Sequence, residues 1–203
     1  MRAQVALSLV ALLGLSISAG CLPKKVVLVG DSTTMCKNHF NPAVSAKATL
    51  GEDWEVVNEG IGGTDSLDWK ETHAAAVIAK HPDPDYTVIT LGINDWGADD
   101  TPTGPVAADR VEEVAGMFSG TVYLTPVHYV DDTNRVLDGI IPGLDPELID
   151  SYELWENELR PIQMSRPHAW EYPDLEKYDG LHFTDASCEA LGVRIGTEIL
   201  NRQ

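Results

Sequence analysis

Ser32, Asn94, Asp179 and His182 are the residue types from which an acyl-transfer site is assembled, and each lies in a glycine-bearing turn. A serine hydroxyl is a weak nucleophile at neutral pH unless an imidazole takes its proton, so Ser32 requires a histidine from elsewhere in the chain. His182 fits that role. Asp179, three residues earlier, can fold back to accept the Nδ1 hydrogen of the same ring and leave Nε2 facing the serine. Donors for the oxyanion are on offer from the Ser32 amide, the Gly63 amide and the Asn94 side-chain NH2. Such a donor contributes about 3 to 4 kcal/mol to lowering an acyl-transfer barrier.

The elements that must position these groups follow from the hydrophobic pattern. Short apolar runs at Lys25–Val29, Trp54–Val57, Tyr86–Leu91 and Thr121–Thr125 predict strands, several of them continuously apolar as strands buried on both faces are. A fifth strand is expected at Ala169–Tyr172. Helical periodicity predicts crossover helices over Ser66–Lys80 and Pro105–Phe118. Asp145-Pro146 has the form of an N-cap followed by proline at the first helical position, opening a helix through Leu159 that ends near Pro161. A last helix begins near Asp185. Alternating strands and helices of this kind predict α/β architecture with a parallel sheet of about five strands covered on both faces. Ligands in such folds gather beyond the carboxyl ends of the strands. That is where Gly30-Asp31-Ser32, Asn58 to Gly63, and Gly92-Ile93-Asn94-Asp95 fall, while Asp179-Gly180-Leu181-His182 precedes the last helix.

In this order and at these strand ends, the four blocks resemble those that define the SGNH (GDSL-type) hydrolases. The resemblance spans residues 30 to 182. It implies a flavodoxin-like three-layer α/β/α sandwich, no metal or organic cofactor, and an acyl-enzyme mechanism on esters or thioesters with Ser32, Asp179 and His182 as the catalytic groups. Gly63 is chosen for the second block from its offset to Asn58, with Gly62 as the alternative. The family often has leucine after the serine where this chain has Thr33, and Thr33-Thr34-Met35 is more similar to members that deacetylate polysaccharides. Short-chain acetyl esters on carbohydrate are therefore the leading expected substrate. Lipid ester, lysophospholipid or thioester hydrolysis, acyl transfer to glycan, and a glycan-binding surface lipoprotein without chemistry are the alternatives.

Blander roles compete for several residues. Asp31 and Asp95 read as structural, because Asx side chains bond nearby backbone amides, and Ser32 alone would read as a helix N-cap. The glycines from Gly60 to Gly63 do not give the dinucleotide-binding spacing. Asp99, Asp100, Asp131 and Asp132 lack the spacing of an EF-hand loop and read as solvated. His128, after the fourth strand, reads as a packing residue, and His73, His81 and His168 have no assigned role. The segment Val130 to Pro146 is a candidate rim over the substrate, and Trp96 a candidate for the cleft mouth.

Composition bounds the rest. With 203 residues, one domain is expected. A net charge of -18 disfavours nucleic acid, whose binders need clustered Lys and Arg. Arg2, an apolar run from Val5 to Ile17 and the small residues Ser18, Ala19 and Gly20 outline a signal peptide over residues 1–20, leaving 21–203 as the mature domain. Ser18-Ala19-Gly20-Cys21 resembles a bacterial lipobox, which implies a lipidated Cys21 and a tether at the outer face of a membrane; plain secretion is the alternative. Cys36 and Cys188 then remain as an even pair in a disulfide-permissive compartment. They form either a bridge or two buried thiols.

Overall fold

A computed structural model describes residues 22–36, 39–96, 102–127, 146–166, 169–170, 175–177 and 181–203, with 146–153 described by backbone alone. Four parallel strands, β1 (Lys24–Gly30), β2 (Trp54–Asn58), β3 (Tyr86–Thr90) and β4 (Thr121–Thr125), lie in the order β2-β1-β3-β4. β1 is central and buried on both faces, which accounts for its unbroken apolar run. Val26 and Leu28 enter one hydrophobic core, and Val27 and Val29 the other.

Of the roughly five strands expected, four are seen among the described residues. At the fifth position Ala169 makes a single parallel bridge to Leu124, and the Trp170 N–H donates to the Leu124 carbonyl at 3.0 Å. This short pairing lies beside β4, and residues 171–174 fall outside the described residues.

Helices cover both faces. α1 (Ser32–Met35) and α2 (Pro42–Leu50) follow β1; α3 (Ser66–Asp68) continues through a π-helical segment, Trp69–His73, into α4 (Ala74–Lys80). α5 (Gly104–Ala115) lies between β3 and β4, and α6 (Pro146–Met164) and α7 (Asp185–Asn201) complete the chain. The expected single helix over 66–80 thus contains a widened turn. It begins at Trp69, whose buried indole donates to Thr64 Oγ1 at 2.9 Å. Pro161 falls near the end of α6, in its final turn, as expected. Among the described residues no helix is long and apolar enough to cross a membrane.

α2 carries little amphipathic signal because its buried face is built from small residues, Ala43, Ser45 and Ala46. Its opening is nonetheless visible in Asn41-Pro42: the Asn41 side chain accepts from the Ala43 N–H at 3.0 Å, and proline stands at the first helical position. Against it packs α7, where Gly192 permits close approach. A Cβ there would stand 2.0 Å from the Pro42 carbonyl oxygen and 2.2 Å from Ser45 Oγ. Gly192→Ala should therefore force the helices apart and lower stability by about 1 to 3 kcal/mol, read as a reduced denaturant midpoint; an unchanged midpoint would contradict this packing.

Candidate functional site

The first block is a hinge between β1 and α1. Asp31, not Ser32, occupies the N-cap: its Oδ1 accepts from the Thr33 N–H at 2.9 Å and from Thr33 Oγ1 at 2.7 Å. That leaves Ser32 in the first helical position with its hydroxyl free for another partner. α1 is wedged between the ends of β1 and β2. A Cβ at Gly30 would strike Thr34 Oγ1 at 2.1 Å, and one at Gly60 the Met35 backbone nitrogen at 2.6 Å. Asn58 secures the wedge, donating to the Thr34 carbonyl at 2.8 Å and accepting from the Gly60 N–H at 2.9 Å.

His182 reaches this hinge from the far end of the chain, with Nε2 3.0 Å from Ser32 Oγ. Its neighbours explain its placement. Leu181 is buried in the cluster beneath α6 and Phe183 in the core beneath α7, so the residue between them is left at the sheet edge. Lys177 pairs with Phe183 in an antiparallel bridge, and the Thr184 N–H donates to the Glu176 carbonyl at 3.1 Å. Asp179 lies outside the described residues.

Two further links join the segments that carry Ser32 and His182. Cys36, at the end of α1, forms a disulfide with Cys188 in α7, with Cα atoms 6.3 Å apart. At the start of α7, Asp185 Oδ1 accepts from the Phe40 N–H at 2.8 Å and lies 3.0 Å from His39 Nδ1. The role of Asp185 in this junction was not legible beforehand, since an acidic residue in the first turn of a helix is explained by the dipole alone.

The second and third blocks meet beside Ser32. A Cβ at Gly62 would lie 3.7 Å from Ser32 Cβ, and the Gly62 N–H points to Met35 Sδ at 3.2 Å. Gly63 adopts φ +79°, is exposed, and would set a Cβ in open space. Its N–H has no partner among the described residues, unlike that of Gly62. Asn94, half-buried in the 3-10 turn Ile93–Asp95, donates one amide hydrogen to the Thr64 carbonyl at 3.0 Å. Its other amide hydrogen has no partner among the described residues. Asp95 is fully buried and joins the two blocks, accepting from the Ser66 N–H at 3.1 Å and from Ser66 Oγ.

The remaining expectations resolve unevenly. His73 lies edge-on to Trp69, and His81 Nε2 is 2.9 Å from Glu59. Trp96 packs partly buried beside the cluster under α6. Cys21, His128, His168, the four aspartates of the 99–100 and 131–132 pairs, and most of the candidate rim lie outside the described residues. Among the described residues no group of three or more His, Cys, Asp or Glu is placed to hold a metal ion.

Burial raises the carboxyls of Asp31 and Asp95 to about 6, against the hydrogen bonds from Thr33 and Ser66 that favour ionisation. For Asp31, the His182 side chain also opposes the rise and Asp95 adds to it. An acid raised in the fold binds its proton more tightly than the unfolded chain does. Its stabilising contribution is therefore present near pH 4 and lost as pH climbs to about 6. Asp31→Asn keeps an acceptor for Thr33 and removes the ionisable group. The variant should match the parent near pH 4 and exceed it above pH 6.5 by roughly 1 to 3 kcal/mol in paired denaturation curves; a difference independent of pH would refute this account.

No family model matches the chain, and no curated protein matches it. Solved structures do. The Mycobacterium smegmatis aryl esterase superposes with a TM-score of 0.68 at 20% identity, covering 88% of this chain and 99% of that one. Est24, a carbohydrate acetylesterase from Sinorhizobium meliloti, gives 0.67 at 15% identity over 89% and 100% of the two chains. A lipase/acylhydrolase from Enterococcus faecalis gives 0.58 at 25% identity over 88% and 96%. These matches cover most of this chain and nearly all of each neighbour, so the chain has the fold of the SGNH hydrolases, the family its four sequence blocks resemble.

Proposed function

We propose that this chain is a serine esterase that cleaves carboxylic esters through an acyl-enzyme intermediate. The observation that carries the reading is the 3.0 Å approach of His182 Nε2 to Ser32 Oγ, with the Gly62 turn against Ser32 and the Asn94 amide tied to that turn at the Thr64 carbonyl. In the first half-reaction His182 takes the hydroxyl proton as Ser32 Oγ bonds to the substrate carbonyl carbon. The same proton then passes to the departing alcohol as the carbon–oxygen bond breaks. Water repeats the sequence on the acyl-enzyme, releasing the acid and restoring Ser32. The Ser32 and Gly63 N–H groups and the unspent Asn94 amide hydrogen are suited to meet the oxyanion. Asp179 is assigned to hold the imidazole by its Nδ1 hydrogen.

Acetyl esters on carbohydrate are the proposed substrate class. Support comes from the Thr33-Thr34-Met35 sequence after the nucleophile and from the similarity to a carbohydrate acetylesterase. The proposed location is the outer face of a bacterial membrane, with Cys21 lipidated after removal of residues 1–20. The Cys36–Cys188 bridge suits such an oxidising compartment.

A fluorophosphonate probe should label Ser32. Ser32→Ala and His182→Ala should each lower kcat on p-nitrophenyl acetate by about 10³-fold or more, and Asp179→Asn by about 10² to 10⁴-fold. Full turnover in either of the first two variants would end the esterase reading. Across esters from acetyl to palmitoyl, with acetylated xylan and pectin included, kcat/KM should peak at acetyl; a peak at long chains would transfer the substrate to lipid. Cys21→Ser should release the protein from membranes to the soluble fraction, and an unchanged distribution would refute the tether.

A further inference from the structure

The turn that presents Asn94 is gripped from behind by α6, through side chains that the four sequence blocks do not include. Beyond Thr90 the strand β3 runs out of ladder partners, and its next two carbonyls point at this helix. The Gln163 Nε2 donates to the Leu91 carbonyl at 2.8 Å, and the Trp155 Nε1 donates to the Gly92 carbonyl at 2.7 Å. Gln163 Oε1 also accepts from the Val127 N–H at 2.8 Å, so one amide joins the ends of β3 and β4. Both side chains are almost fully buried.

The Gly92 carbonyl is the important acceptor, because it also takes the Asp95 N–H at 3.3 Å and thereby closes the turn around Ile93 and Asn94. Gly92 itself adopts φ +120°, and a Cβ there would meet Leu159 Cδ2 at 2.6 Å and Gln163 Nε2 at 3.1 Å. α6 is thus pressed directly against the residue whose backbone conformation aims Asn94. On the other side Thr64 holds the Asn94 amide and Ser66 holds Asp95, so the donor is fixed from both flanks.

We propose that Trp155 and Gln163 are positioning residues for the oxyanion donor Asn94, an inference that rests on the esterase reading above. Neither touches substrate. Each fixes a carbonyl of the turn, so that the Asn94 N–H stands where negative charge develops instead of having to find that place during the reaction. Donors held in advance lower the barrier more than mobile ones do, and the benefit appears in kcat because the charge is absent from the bound ester.

The test is a mutant cycle in the full chain. Trp155→Phe removes the indole N–H together with the ring that carries it but keeps a buried aromatic, and Gln163→Met removes the amide at similar volume. Each should lower kcat on p-nitrophenyl acetate by about 10-fold while KM stays within about 2-fold, with thermal melting used to confirm the fold. Asn94→Ala should cost about 10² to 10³-fold alone, and adding either substitution to it should then cost less than about 2-fold, since no donor remains to be aimed. Losses that multiply, an unchanged kcat in either single variant, or an unaffected Asn94→Ala would each overturn the inference. If Gln163→Met fails to fold, Trp155→Phe decides. A parent that neither turns over esters nor takes the fluorophosphonate label would sink the esterase reading itself, whereas active parent with additive variants sinks only the positioning role.

Discussion

The 3.0 Å contact between Ser32 Oγ and His182 Nε2 joins residues 150 apart in sequence, and no local element can hold it. It depends on where β1 ends and where the segment before α7 returns. Asp31 makes the first of these definite by capping α1, which turns the chain sharply enough to leave the serine at the sheet edge. Burial of Leu181 and Phe183 in separate clusters makes the second definite. A one-residue slip in either place would aim one partner into the core.

Two buried carboxylates act as joints of this edge. Asp31 binds its own helix start, and Asp95 binds Ser66 of the neighbouring turn. Each is kept in a place that disfavours its charge, and each is compensated by hydrogen bonds from backbone and hydroxyl groups. The second and third turns are therefore one connected polar unit rather than separate loops. With the Asn94 bond to Thr64, a displacement of either turn is felt by the other.

Much of this was legible in the residues. β1, β3 and β4 announce themselves because strands buried on both faces need unbroken apolar runs, and the ordered glycine, asparagine and histidine blocks mark the edge where the fold collects ligands. What escaped has physical reasons. α2 hides its buried face in alanine and serine, which periodicity weighs lightly, although Asn41-Pro42 marks its start. The widened turn at Trp69–His73 leaves the apolar spacing of its neighbours intact, so the pattern reads as one regular helix. The grip of Trp155 and Gln163 could not be read at all: both carry ordinary helix positions in the sequence, and only packing shows which carbonyls they reach. At the fifth strand only Ala169 and Trp170 lie among the described residues, and there the expected pairing beside β4 is present as a bridge to Leu124.

The bridge between Cys36 and Cys188 spans 152 positions, so a single backbone cut anywhere from 37 to 187 leaves both pieces on one covalent molecule. A nicked chain would keep the serine-bearing piece and the histidine-bearing piece in permanent company, free to settle back together without a bimolecular search. Wherever a protease can reach an intervening loop, this linkage would convert cleavage from a fatal event into a tolerable scar.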